Sequence, residues 1–131
     1  MEEKNNEIFT IINPASARGK TGKIWPYYRK RLEDAGIRLN CFFTEGALHA
    51  VELVKTGIQS GYSKIMAVGG DGTVNEVVNG IFNGGKLIKP DIKLIIFSQG
   101  TGSDFIKSLK TGNSIEDIIN IIKYGKMRKY D

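Results

Sequence analysis

Four short, mainly apolar runs mark the chain at residues 8–12, 37–43, 65–68 and 92–97, and apolar residues recur at helical spacing between them. Runs of strand length without polar alternation predict strands buried on both faces. Their separation by amphipathic segments predicts a parallel sheet covered by helices. The second segment places Ala47, Ala50, Val51, Val54 and Ile58 on one stripe, and the third places Val74, Val77, Val78, Ile81 and Phe82 there. The first is less regular, with Trp25, Tyr28, Leu32 and Ala35 inward and a Pro26 that fits only in a first turn, where no N–H is needed. Asn79-Gly80 and Asn83-Gly84-Gly85 read as stops for the third helix, and residues 86–90 connect it to the fourth strand. Ser114 with Asp117 three residues on caps a last helix bearing Ile115, Ile118, Ile119 and Ile122. Gly125 ends it, and residues 127–130 begin a further strand. The expected class is α/β, three layers around a parallel sheet.

Composition narrows the classes without changing this picture. With 131 residues, 40% hydrophobic and 25% charged, the chain has ordinary globular content and the length of one domain. Residues 1–7 read as a polar tail and residues 8–131 as the domain. No apolar run approaches the roughly 18 residues of a membrane-crossing helix, and no basic stretch followed by an apolar one suggests a signal peptide. The single cysteine, Cys41, lies in an apolar run and reads as a small core residue, so cytoplasmic residence is the default expectation. The single histidine, His49, has no second ligand-type neighbour and reads as a solvated surface residue. A net charge of +5 suits anionic partners such as nucleotides or an acidic membrane surface. Basic residues interleaved with aromatics in the manner of RNA-binding sheets are absent, so nucleic acid is not an expected partner.

Chemistry concentrates where strands end. Gly69-Gly70-Asp71-Gly72-Thr73-Val74-Asn75-Glu76 turns the third strand directly into a helix. Its glycines are expected to take positive φ and let a ligand approach the backbone, while the helix start offers unpaired N–H groups and a positive dipole end. Asp71 would repel a phosphate unless Mg²⁺ intervened. Alone, such a turn also serves as a plain βα closure with Asp71 as N-cap. Gly100-Thr101-Gly102-Ser103-Asp104-Phe105 follows the fourth strand with the same ingredients, and Asn13-Pro14-Ala15-Ser16-Ala17-Arg18-Gly19-Lys20 follows the first. In one parallel sheet all three lie at the carboxyl edge, where open α/β folds bind ligands.

Together, Asn13-Pro14-Ala15-Ser16, residues 69–80 and Gly100-Thr101-Gly102-Ser103-Asp104-Phe105 resemble the diacylglycerol kinase catalytic domain family, which includes bacterial lipid kinases and the sphingosine and ceramide kinases. The resemblance covers nearly the whole chain after the tail. It departs at Ser103, where the family usually carries Asn. It implies a nucleotide-binding domain similar to the N-terminal domain of NAD kinases, with ATP and Mg²⁺ as cofactors. Residue by residue, it implies that Asn13, Pro14, Ala15, Ser16 and Ala17 form the first wall of the ATP site and that Thr44 contributes next. Gly70, Asp71, Gly72, Thr73, Val74, Asn75 and Glu76 would contact phosphates and ribose, and Thr101 would close the site. Asp71 and Asp104 resemble the acids that order magnesium and its water. The family's second, β-rich lipid-binding domain, with its general base, is not in this chain, and Asp131 resembles the acid at the start of the crossing strand. The resulting expectation is the ATP-binding half of a lipid kinase, inactive alone, whose partners are ATP, a lipid substrate and the surface of an anionic membrane. An NAD kinase and a catalytically silent nucleotide-binding module are the alternatives.

Overall fold

The computed structural model describes residues 6–83, 85–88, 91–99, 114–125 and 128–129. Its elements are β1 (Glu7–Ile12), a 3-10 turn (Ser16–Gly19), α1 (Lys20–Asp34), β2 (Arg38–Phe43), α2 (His49–Gln59), β3 (Lys64–Gly69), α3 (Asp71–Ile81), β4 (Phe82–Asn83), β5 (Lys86–Leu87), β6 (Lys93–Ser98), α4 (Ile115–Lys123) and β7 (Arg128–Lys129). β1, β2, β3 and β6 are mutually parallel in the order β2-β1-β3-β6, and β7 adds an antiparallel edge beside β6. The expected three-layer α/β class is the observed one.

Alternate residues of each strand feed opposite layers. Phe9, Ile11, Ile65, Ala67, Leu94 and Ile96 pack with Ala50, Val54, Val74, Val77 and Ile81 of α2 and α3. Ile8, Ile12, Met66, Val68, Ile95 and Phe97 pack with Trp25 and Leu32 of α1 and Ile115 and Ile118 of α4. Burial of an aliphatic side chain contributes roughly 1.5–3 kcal/mol, so these two layers dominate the fold's stability. Trp25 is buried, yet its indole N–H meets no acceptor among the described residues.

Four local expectations need correction. β2 is not buried on both faces: as an edge strand it leaves Arg38, Phe42 and Phe43 exposed, and Cys41 is only half-buried. Pro26 sits seven residues into α1, in the helix interior, where it cannot donate to the carbonyl of Gly22. Asn79-Gly80 does not stop α3, which runs through it to Ile81. A Cβ on Gly80 would lie 2.1 Å from Val54 Cγ1 and 2.9 Å from the Val51 carbonyl oxygen, so this glycine permits close contact between α2 and α3. Finally, Phe82, expected on the stripe of the third helix, lies in extended backbone beyond it and pairs with Leu87 of the expected connector in a small antiparallel hairpin, with Gly85 at φ +82°. The Ser114 cap is as expected: its Oγ accepts the Asp117 N–H at 3.2 Å.

Candidate functional site

The strand order creates a crevice before any side chain is considered. From β1 the chain passes to β2 on one side, then crosses to β3 on the other, so α1 and α2 leave on opposite faces. Loops leaving β1 and β3 therefore diverge, and the gap between them is the switch point where open α/β sheets bind ligands. Backbone bonds continue just past the strand ends. The Asn13 N–H donates to Val68 O (2.9 Å), Thr44 N–H to Ile12 O (2.9 Å) and Gln99 N–H to Gly69 O (2.9 Å), holding these exits level.

The β1–α1 loop is held by short polar side chains. Asn13 Oδ1 accepts the Ala15 N–H (3.1 Å), and its Nδ2 donates across the crevice to Thr73 Oγ1 (3.0 Å). Ser16 Oγ lies 2.8 Å from the Asn13 carbonyl oxygen, to which it donates, and 2.6 Å from the buried Thr21 Oγ1. The chain then passes through Ala17 (φ 54°), Arg18 (φ 59°) and Gly19 (φ 85°) before entering α1. Left-handed backbone costs a non-glycine residue about 1–2 kcal/mol, so the loop stores strain in Ala17 and Arg18.

The β3–α3 turn achieves tightness differently. Positive φ is not observed at Gly69, Gly70 or Gly72, and Gly70 is an extended N-cap with φ −89° and ψ −165°. Instead, a Cβ on Gly69 would lie 2.6 Å from Thr73 Oγ1 and 2.8 Å from Thr73 Cβ, whereas Cβ atoms on Gly70 and Gly72 would meet nothing within 4 Å. The first glycine lets α3 close onto β3, and the others leave backbone bare. Gly70, not Asp71, is the N-cap, and no side chain caps the helix, so its first-turn N–H groups face outward with the positive dipole end. Asp71 opens the helix as an exposed carboxylate without an ion pair among the described residues.

These loops enclose an open cleft of about 710 Å³. Asn13, Pro14, Ala15, Ser16 and Ala17 form one wall, Thr44 stands beside them, and Gly70, Gly72, Thr73 and Glu76 form the other wall. Asp71 and Asn75 are exposed residues of α3 outside this lining, and Val74 is fully buried in the core, with its N–H bonded to Gly70 O at 3.1 Å. Thr101 and Asp104 lie outside the described residues.

Sequence reading missed Glu45, Gly46, Ala47 and Ala50, which line the cleft beside Thr44. The available signal was that they follow the carboxyl end of β2, but only the strand order puts β2 next to β1. His49 also departs from expectation: it is half-buried, and its Nδ1 accepts the Glu45 N–H at 2.9 Å, pinning the β2–α2 loop. Beside this bond Leu48 is left-handed at φ 66°. Among the described residues no group of His, Cys, Asp or Glu is assembled as a metal cage.

A polar, glycine-lined crevice thus lies at the switch point of a three-layer α/β fold. The sequence pattern of the family "Diacylglycerol kinase catalytic domain" matches residues 7–131, and the chain belongs to that family. It is 32% identical over 121 residues to a diacylglycerol kinase of Staphylococcus saprophyticus, covering 92% of this chain and 38% of that protein. It is 34% identical to a diacylglycerol kinase of Staphylococcus aureus strain MRSA252, covering 92% of this chain and 37% of the relative. The chain thus spans less than two-fifths of the length of these relatives. Among solved structures, a diacylglycerol kinase from Bacillus anthracis strain Sterne superposes with a TM-score of 0.73 at 24% identity, over 92% of this chain and 40% of that one. This last likeness is one of fold.

Proposed function

We propose that the chain is the nucleotide-binding domain of an ATP-dependent lipid kinase that transfers the γ-phosphate of ATP to a lipid hydroxyl. Diacylglycerol is the substrate suggested by the relatives' names. Glu7, expected in the tail, is the first residue of β1, so the catalytic domain runs from residue 7, and a β-rich lipid-binding domain completes the whole protein. The observation that carries this reading is the bridge from Asn13 to Thr73, which joins a loop of small residues to an uncapped helix start across the switch point. Phosphates suit that place, because the first N–H groups of α3 and the dipole favour anions. The bare backbone at Gly70 and Gly72 gives them room.

Magnesium is usually held through one or two carboxylates with phosphate oxygens and water completing its shell, and Asp71, exposed at the start of α3 just outside the cleft lining, is one such carboxylate. Asp71 at the rim, with Asp104 acting through water, would hold it. When bound it would neutralise charge on the phosphate chain. Thr101 and Asn75 complete the proposed nucleotide contacts, with Val74 contributing only as the anchor of the turn. Phosphoryl transfer needs positioning, charge neutralisation and an oriented hydroxyl. This chain's residues serve the first two needs, and the lipid-binding domain supplies the base that takes the hydroxyl proton. Residues 1–131 alone therefore give no turnover. The site of action is cytoplasmic, at an anionic membrane surface that the +5 chain meets peripherally. No helix among the described residues is long and apolar enough to cross the membrane.

Radiolabelled ATP offered to the whole protein with a lipid panel and, separately, NAD tests the assignment. Label should enter a lipid; label entering NAD and no lipid would replace this reading with an NAD kinase. Calorimetric titration of Mg-ATP into residues 1–131 and into Asp71→Ala tests the site, since equal affinities would remove Asp71 from it.

A further inference from the structure

At the opposite, amino edge of the sheet lies a second cavity of about 380 Å³. β3 is six residues long, which separates the two edges by roughly 20 Å. Ile8, Ile37 and Ile122 give the cavity an apolar lining, and Arg38, Lys64 and Lys123 stand around it. Strand alternation fixes where the first residues of β3 and β6 face. Lys64 shares the α1/α4 face with Met66 and Val68, and Lys93 shares it with Ile95 and Phe97. Lys64 and Lys93 are direct partners in the β3–β6 register, so two like charges stand side by side. Such a pair is destabilising unless something compensates it.

No carboxylate among the described residues does so. Glu7, at the start of β1, alternates to the other face, where its Oε1 accepts from Asn40 Nδ2 at 3.0 Å. Glu33, Asp34 and Glu116 are engaged by Arg29, Lys30 and Arg31 respectively. Nor do terminal carbonyls of α1 and α4 claim the lysines. Those of Arg31, Leu32 and Glu33 accept from the N–H groups of residues 35–37, and that of Asn120 accepts from Tyr124 and Gly125. The Lys123 ammonium lies over the Tyr124 ring, 5.9 Å from its centroid, and has no carboxylate partner among the described residues. A cavity with an aliphatic lining and cations at its rim that meet no carboxylate among the described residues matches a small amphiphile whose charge is concentrated at one end.

We propose that this amino-edge pocket binds a phosphate monoester carried on an apolar stem, with the phosphate held by Lys64 and Lys123 and the stem against Ile8, Ile37 and Ile122. The site is separate from the carboxyl-edge cleft, and the proposal does not depend on what that cleft binds. Ammonium groups hold phosphate as point charges through charge-assisted hydrogen bonds.

The test uses the isotopically labelled 131-residue chain and follows backbone amides by NMR at low salt. Hexyl phosphate should move the amides of Gly36, Ile37 and Lys64 saturably, leaving those of Gly70 and Gly72 in place. The Lys64→Ala/Lys123→Ala double variant should bind about tenfold or more weakly, a loss of ~1.4 kcal/mol or more. Lys64→Arg/Lys123→Arg should retain binding. Vesicles of phosphatidylcholine with and without phosphatidic acid distinguish the source. Binding of soluble hexyl phosphate assigns a free ester, and binding only to phosphatidic acid vesicles, lost in the alanine variant, assigns a lipid headgroup; either supports the site. Inorganic phosphate binding as tightly as hexyl phosphate would overturn the role of the apolar lining. Unchanged affinity in a folded alanine variant, or no saturable shift with either ligand, would overturn the site.

Discussion

The two loops facing each other across the switch point solve one problem in opposite ways. Between β1 and α1, the chain turns by forcing Ala17 and Arg18 into left-handed backbone and holding the loop with Asn13, Ser16 and Thr21. Between β3 and α3, it turns with ordinary φ and spends its glycines on space: Gly69 where Thr73 presses in, Gly70 and Gly72 where the cleft is open. Glycine in a tight strand-to-helix turn is therefore no sign of unusual backbone. Unusual backbone here sits on side-chain-bearing residues, locked by hydrogen bonds.

Substitutions that exchange the two solutions should have opposite signs. The largest effect is expected from Gly69→Ala, whose Cβ would press on Thr73; overpacking of this kind typically costs ~1–3 kcal/mol, measurable by urea denaturation. Should stability hold, close packing would not be the reason for this glycine. Next comes Asn13→Ala, which strips a donor from Thr73 and an acceptor from Ala15. It should cost ~1–2 kcal/mol and weaken Mg-ATP binding in calorimetry, while Thr21→Val, in the first turn of α1 and outside the cleft lining, should lower stability and spare affinity.

Ala17→Gly should move the other way, gaining up to ~1 kcal/mol in the same denaturation assay as left-handed strain is relieved, less the entropy glycine loses. A loss on that substitution would mean that the loop is not strained at rest. Gly72→Ala should be neutral or raise stability by ~0.5–1 kcal/mol, because the position is helical and open, yet it should weaken Mg-ATP by crowding the bare backbone. The smallest effect lies away from both loops. Burial pushes the Cys41 thiol pKa up, so the folded state favours the neutral thiol. Its contribution to stability is present below the unfolded thiol's pKa and declines as pH rises through the higher folded value. Alkylation of Cys41 near pH 8.5 should accordingly be slower than that of a free thiol and accelerate on unfolding.

β1, β3 and β6 were legible to within about a residue, because fully buried strands write themselves as apolar runs. β2 was legible as a strand but not as an edge, since edge position is a property of strand order. Gly80 was misread because a helix stop and a close helix contact leave the same letter, and only the neighbouring Val51 and Val54 distinguish them. Asn13 to Ala17 and those of residues 70–76 that line the cleft could be anticipated from the loops after β1 and β3. Glu45, Gly46, Ala47 and Ala50 could not, because their place beside Asn13 depends on β2 lying next to β1. The bond from the Glu45 N–H to His49 was likewise invisible, as nothing in the sequence shows which way a lone imidazole turns. Thr101 and Asp104 fall outside the described residues, so their part in the site rests on the resemblance.

Gly57 and Gly80 together have a mechanical consequence. A Cβ on Gly57 would lie 2.8 Å from the Phe9 ring, and one on Gly80 would collide with Val54, so sheet, α2 and α3 are stacked with no slack between them. Rocking α3 outward would open the Gly80–Val54 contact with α2 and the Gly69–Thr73 contact with β3 at once. On the other side, Pro26 interrupts the ladder of α1, and the strained loop ahead of it hangs on a few side-chain bonds. Breathing of the cleft should therefore be one-sided, with amides of residues 15–24 exchanging with solvent well before those of residues 74–80, and the β3–α3 turn should behave as the fixed jaw against which the first loop closes.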